Sequence, residues 1–163
     1  MAVMNTKAHQ VQTYLEQEGH TVHNFSRQTS TSSAAAEAVG CAVGEIAKSI
    51  LMLVGKQPVL VVTSGDTRVK SGRLKQASGL SGKVSLPDSG AVVRCTGYPP
   101  GAVSPFLLPK ELPVFLDHSL QRFNTIYPAA GTSSSAVGLS FTRLVELCGA
   151  RIVDVSDIHE TTD

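Results

Sequence analysis

The chain contains no tryptophan, and aromatic residues of all kinds make up 5% of it, so its core has to be aliphatic. Charge of neither sign prevails. Fourteen Lys and Arg against 13 Asp and Glu leave a formal net charge of +1, and this balance names no polyanionic partner. Cysteine is scarce: Cys41, Cys95 and Cys148 are odd in number, far apart and without a C-x-x-C. That argues against a disulfide framework and a zinc knuckle, and for a reducing cytoplasm. No apolar run is long enough to span a membrane, so no membrane partner is expected. Met1–Gln10 lacks the apolar stretch of a secretory leader. His20 and His23 form H-x-x-H, but on a strand they face opposite ways, and no carboxylate or cysteine joins them. No metal and no cofactor are expected. With 42% hydrophobic and 17% charged residues, no internal repeat and no long linker, the 163 residues fit one globular domain.

What the chain does have is a concentrated apolar centre. Ile46–Val54 (I-A-K-S-I-L-M-L-V) and Val59–Thr63 (V-L-V-V-T) flank Gly55-Lys56-Gln57-Pro58. Two such runs around a short turn predict a β-hairpin. Both are near-continuous rather than alternating, which predicts strands covered on both faces. Lys48 is the exception. At period 2 it shares a face with Ile50, Met52 and Val54, where a bare charge is costly. Either its stem packs and its ammonium snorkels past the strand end, or it lines a pocket at the mouth of the sheet.

Around this centre the pattern is mixed. Helices are expected over Thr6–Glu18, Ala34–Val39, Val43–Ala47, Asp88–Thr96 and after Ser140, several closed by glycine. Strands are expected over Thr21–Phe25, Leu112–Leu116, Thr125–Ala129 and Arg151–Val155, with a frayed polar tail over Ile158–Asp163. Gln28–Ser33, which includes Thr31, is hydroxyl-rich; it caps the next helix or faces a polar ligand. Gly131-Thr132-Ser133-Ser134-Ser135 is similar. It is neither a nucleophile elbow nor a P-loop. Gly97-Tyr98-Pro99-Pro100-Gly101 is a stiffened loop whose glycines permit close approach of a ligand to the main chain. From Thr67 to Pro87 there are five basic residues, Arg68, Lys70, Arg73, Lys75 and Lys83, and no acid. This is either a solvated face or a surface for phosphates. Without aromatics it offers no base stacking.

Taken in order, I-A-K-S, then C-T-G-Y-P-P-G-A-V-S-P-F, then L-P-V-F-L-D-H-S-L followed by Y-P-A-A-G-T resemble the YbaK family, also called the prolyl-tRNA synthetase associated or editing-insertion family. The resemblance runs from about Gln28 to Val155. It implies a mixed α/β (α+β) domain with a twisted, barrel-like central sheet flanked by helices. It also implies hydrolysis of amino acids wrongly attached to tRNA, most often tRNA for proline. Lys48 matches the family's essential lysine. Gly97–Gly101 matches its glycine-proline loop, which grips the aminoacyl moiety through backbone groups. Asp117 matches an acidic residue after the fourth apolar strand, whereas His118 stands where many relatives carry Glu. Ala129–Ser133 matches a variable small-residue loop before the last helix. Cysteine-specific relatives tend to read S-[AG]-G there; this chain has Ala129-Ala130-Gly131.

The reaction implied is ester hydrolysis at the tRNA 3′ end. No Ser-His-Asp set is evident, so the expected scheme is direct attack by water. Lys48 would hold the ester carbonyl or terminal phosphate and stabilise the developing charge, and a ribose hydroxyl of the tRNA would help position the water. The expected binding residues are Gly97, Tyr98, Pro99, Pro100, Gly101, Asp117, Gly131, Thr132, Ser133 and Thr31, with Arg68, Lys70, Arg73, Lys75 and Lys83 on the tRNA. The partners are mischarged aminoacyl-tRNA and, as a further candidate, prolyl-tRNA synthetase; DNA is not among them. Two alternatives stay open: a non-catalytic tRNA- or aminoacyl-binding module of the same fold, and a small-molecule hydrolase unrelated to tRNA.

Overall fold

The computed structural model describes residues 6–29 and 31–159. Ser30 of the first hydroxyl-rich loop, residues 1–5 and residues 160–163 of the expected frayed tail lie outside the described residues.

The apolar centre is the hairpin. Strand β2 (Ile46–Val54) pairs antiparallel with β3 (Gln57–Ser64). The connection is shorter than the sequence suggests: Val54 pairs with Gln57, so only Gly55 and Lys56 turn, and Gly55 takes the positive φ (63°) that a two-residue hairpin demands. Two parallel strands extend the sheet beyond β3, β6 (Val114–Asp117) and β9 (Arg151–Val153). The other edge of β2 is shared: β7 (Tyr127–Pro128) pairs in parallel with Ile46 and Ala47, and β5 (Val84–Ser85) antiparallel with Leu53 and Val54. Two short ribbons stand apart from this mixed sheet. They are β1 (Val22–Asn24) with β8 (Ser135–Val137), and β4 (Thr67–Val69) with β10 (Ser156–Ile158). The sheet is mixed, as expected, but the described strands do not close into a barrel.

Alternation along β3 and β6 divides the core in two. Leu60, Val62 and Leu116 point to one cluster, where Val11 and Leu15 of helix α1 (Lys7–Gln17) and Phe141 and Leu144 of α5 (Phe141–Cys148) pack. Val59, Val61 and Phe115 point to the other, with Leu74 of α3 (Ser71–Ser78). A sheet covered on both faces is what the unbroken apolar runs call for. In β2, Ala47 and Leu51 face the first cluster and Met52 and Val54 the second.

Helix ends follow their capping residues. The side chains of Thr6, Asp88 and Ser140 accept from the amides of His9, Ala91 and Arg143, starting α1, α4 (Ser89–Thr96) and α5. Thr31 does the same for α2 (Ser32–Val39) through Ala34. Three expected boundaries differ. Val43–Glu45 is a single 3-10 turn and Ile46 and Ala47 already belong to β2, because ladders to β3 and β7 claim their backbone. The strand expected over Leu112–Leu116 starts at Val114, since Pro113 has no N–H to donate. Ile158, the first residue of the expected frayed tail, closes strand β10 (Ser156–Ile158). No described helix is long and apolar enough to cross a membrane.

Candidate active site

A cavity of about 200 Å³ opens at the start of β2. Its floor is Ile46–Ser49, and β7 supplies Tyr127 because it pairs with Ile46 and Ala47. The two hydroxyl-rich loops meet over it. Ser133 O accepts from both the amide (2.7 Å) and the hydroxyl (2.8 Å) of Thr29, so Thr29, Thr31 and Ser32 face Thr132, Ser133 and Ser135 across the opening. Ser135 Oγ ties the second loop together, accepting from the amides of Ala130 and Thr132 at 3.2 Å each. The third wall is Gly101 and Val103, held against the segment after β7 by a 2.6 Å hydrogen bond from Ser104 Oγ to Ala129 O. Ala35, Ala129 and Ala136 keep the interior small.

Lys48 is the sole charged side chain among the described lining residues, which include no carboxylate, histidine or cysteine. Its ammonium donates to Thr67 O at 2.8 Å, which fixes where the charge sits. The alternation of β2 turns the Lys48 side chain toward the α3 side of the sheet, and the residue also lines a second cavity there. Neither sequence reading is complete: the stem is half-buried, and the head is bonded inside the fold rather than snorkelling free.

Of the residues expected to bind substrate, the structure gathers Lys48, Thr31, Gly101, Thr132 and Ser133 around this cavity. Others lie elsewhere. The amides of Gly97 and Tyr98 are already used, by Val93 O (2.9 Å) and Thr96 Oγ1 (3.1 Å), in closing α4. They cannot grip an aminoacyl group as expected. Tyr98 is fully buried and its hydroxyl donates to Phe106 O; burial pushes the phenol pKa up. Pro99 and Pro100 are exposed and away from the lining. Gly131 packs against α1, where a Cβ would sit 3.0 Å from Ala8 Cα. Asp117 is buried and accepts from Ser156 Oγ (2.6 Å), Val155 N (2.8 Å), Ser119 N (3.1 Å) and Thr63 Oγ1 (3.3 Å). It joins β6 to the β9–β10 connection and does not reach the cavity. Asp117, His118 and Asp154 bring ligand atoms within 4.8 Å of one another. The Asp117 oxygens are committed to those donors, and His118 Nε2 lies 2.9 Å from Asp154, so the group reads as a hydrogen-bonded brace.

A profile of the aminoacyl-tRNA editing domain matches residues 26–147, a span that contains this whole cavity. The chain belongs to the aminoacyl-tRNA editing domain family. The editing domain is 34% identical over 136 residues, 82% of this chain and 85% of the other, to the uncharacterized YwhH of Bacillus subtilis. It is 26% identical over 122 residues, 74% of each chain, to EbsC of Enterococcus faecalis, which is named as a candidate Cys-tRNA(Pro)/Cys-tRNA(Cys) deacylase. It also resembles the crystal structure of a candidate trans-editing enzyme for prolyl-tRNA synthetase, with a TM-score of 0.82, 30% identity, and 93% and 97% of the two chains covered.

Sequence reasoning missed Ser49, Tyr127, Val103 and Ala136 in the lining of this cavity. Tyr127 arrives through parallel pairing of strands about 80 residues apart, for which nothing local in the chain gives a signal. Of the basic segment, Arg68, Lys70, Lys75 and Lys83 are exposed. Arg73 is held instead by Asp154 (3.3 Å), Asp157 and the carbonyl of Ser156 (3.0 Å). The segment carries no acid of its own, but the fold brings two to Arg73 from beyond β9.

Proposed function

We propose that the chain is a trans-acting aminoacyl-tRNA deacylase of the cytoplasm, clearing a small mischarged amino acid from tRNA, with tRNA for proline as the substrate. The observation that carries this reading is the cavity itself: small, walled by hydroxyls and alanines, with Lys48 as the one cation among its described lining residues, inside the span that matches the editing family. The names of the Enterococcus relative and of the trans-editing neighbour point the same way.

The residues favour direct hydrolysis. A serine or threonine nucleophile needs a base to activate it, and the described lining supplies none. Water therefore adds to the ester carbonyl, positioned by a ribose hydroxyl of the substrate. The oxyanion that forms is stabilised by the Lys48 ammonium; as it collapses the C–O bond to the ribose breaks, one proton of the attacking water passes to the ribose oxygen and the other to solvent, and the amino acid leaves as its carboxylate. Thr67 O accepts from the ammonium at 2.8 Å and fixes where its charge sits. Selectivity rests on size, because Ala35, Ala129 and Ala136 leave little depth. A methylene in such a pocket is worth only about 1–3 kcal/mol, so discrimination among small residues is graded. Prolyl-tRNA synthetase, which supplies the mischarged tRNA, is the proposed partner.

The test is a deacylation panel in which one proline tRNA is charged in turn with Ala, Ser, Thr, Cys and Pro. The reading predicts rapid loss of one or more of the first four and persistence of Pro. Five stable esters in the presence of folded protein would overturn it.

A further inference from the structure

Inside the cavity at the start of β2, one hydroxyl differs from the others. Those of the two loops hold backbone. Thr31 Oγ1 accepts from the Ala34 amide (3.0 Å), Thr29 Oγ1 donates to Ser133 O (2.8 Å), and Thr132 Oγ1 accepts from the Ser134 amide (3.2 Å). Ser49 Oγ is closed off from solvent and has no hydrogen-bond partner. Among the described lining residues it is the one buried side-chain hydroxyl left unpaired. Ser49 has the parity of Ala47 and Leu51, which face the first core cluster, while Lys48 turns to the other face. Its place is set by the ladder, in which it pairs with Val62 of β3. A buried hydroxyl without a partner is costly, and alanine would fill the same space without that cost.

An aminoacyl ester brings a carbonyl, an α-ammonium and a side chain to such a cavity. The carbonyl belongs with the Lys48 ammonium. The α-ammonium is a full charge, costly to carry to a floor closed to water, and no carboxylate lines the cavity among the described residues. It stays at the mouth, and the neutral side chain goes to the floor. We infer that Ser49 reads that side chain and selects a β-hydroxyl, as in a seryl or threonyl ester, over an alkyl group of the same size. Size grades small residues only weakly. A site that hydrogen-bonds a hydroxyl rejects the isostere lacking it more strongly, because its own polar group is then left unpaired. This assignment rests on the proposed deacylase reading and adds the chemistry of the amino acid that is removed.

The test uses a matched pair: one proline tRNA charged with serine or with 2-aminobutyrate, whose side chains differ by a hydroxyl in place of a methyl. In the parent, kcat/KM for the seryl ester exceeds that for the aminobutyryl ester about tenfold, the scale of one net hydrogen bond. In Ser49→Ala the ratio falls to about one. Thermal unfolding of Ser49→Ala lies at or above that of the parent, since deleting an unpaired buried hydroxyl removes no bond within the fold. A midpoint well below the parent shows that the hydroxyl serves the fold and overturns the inference. A ratio near one in the parent overturns it too, and leaves the deacylase reading intact. So does a tenfold ratio that survives in Ser49→Ala, even with both rates lowered, because Ser49 then acts on a part of the substrate common to both esters. Where neither ester turns over, binding decides, with hydrolysis-resistant adenosine 3′-amides of the same two amino acids as probes. A tenfold tighter seryl amide, lost in Ser49→Ala, sustains the side-chain reading and removes the deacylase reading. Equal affinities remove both.

Discussion

Asp117 shows how much a single buried carboxylate can hold. Burial alone pushes its carboxyl pKa up, yet the hydrogen bonds from Ser119, Ser156 and the Val155 amide outweigh that and hold it below the ordinary carboxylate range. A carboxyl that titrates lower in the folded than in the unfolded chain stabilises the fold fully above about pH 4. That contribution disappears as the pH falls through the folded value. Asp117→Asn should therefore lower unfolding stability by about 2 kcal/mol at neutral pH, the scale of hydrogen bonds to a charged group. The gap to the parent should narrow as the pH drops below about 4, measured by urea unfolding across that range. A constant gap would mean the carboxylate is not what joins β6 to the β9–β10 connection. Gly101 is the other residue with a structural consequence of its own. Its φ is +84°, and a Cβ there would meet nothing within 4 Å. The obstacle to a side chain is the backbone, at a cost of about 1–2 kcal/mol. Gly101→Ala should show that loss in thermal unfolding together with slower deacylation of every charged tRNA, since the wall of the cavity shifts with it. A variant as stable as the parent would contradict the left-handed conformation.

At the scale of elements, the sequence is most legible where order is set locally. The hairpin, the N-caps at Thr6, Asp88 and Ser140, and the glycine stops after α2, α4 and α5 all follow from residues a few positions apart. The loops Gln28–Ser33 and Gly131–Ser135 could be named from their hydroxyls. That they meet through Thr29 and Ser133 could not, because about 100 residues separate them. The Gly97–Gly101 loop misled for a physical reason. Glycine at the end of a helix serves equally to cap it and to admit a ligand, and here Gly97 caps α4 while only Gly101 reaches the cavity. Asp117 misled in the same manner: an acidic residue at a strand end reads as a site residue until its donors are known, and they come from Ser119 next to it and from Val155 and Ser156 nearly 40 residues on.

For the molecule as a whole, net charge conceals a local surface. Arg68, Lys70, Lys75 and Lys83 are exposed, while Arg73 is engaged with Asp154 and Asp157. If the exposed four meet phosphates, replacing Arg68 and Lys70 by Gln flattens the log–log salt dependence of tRNA binding by about two units, roughly one per contact. Arg73→Gln should leave that slope unchanged, because its charge is already paired. Equal effects of the two changes would show that the ion pairs of Arg73 open on binding. The central claim, however, is that Lys48, which lines two cavities, carries hydrolysis of an aminoacyl ester. The measurement that bears on it most directly is single-turnover deacylation by Lys48→Ala on whichever charged tRNA the parent hydrolyses fastest, with circular dichroism to establish folding. Removing one electrostatic stabiliser of an oxyanion costs about 100- to 1000-fold. The account predicts a loss of that size in the chemical step with tRNA affinity largely kept, and a folded Lys48→Ala protein that hydrolyses at the parent rate would contradict it.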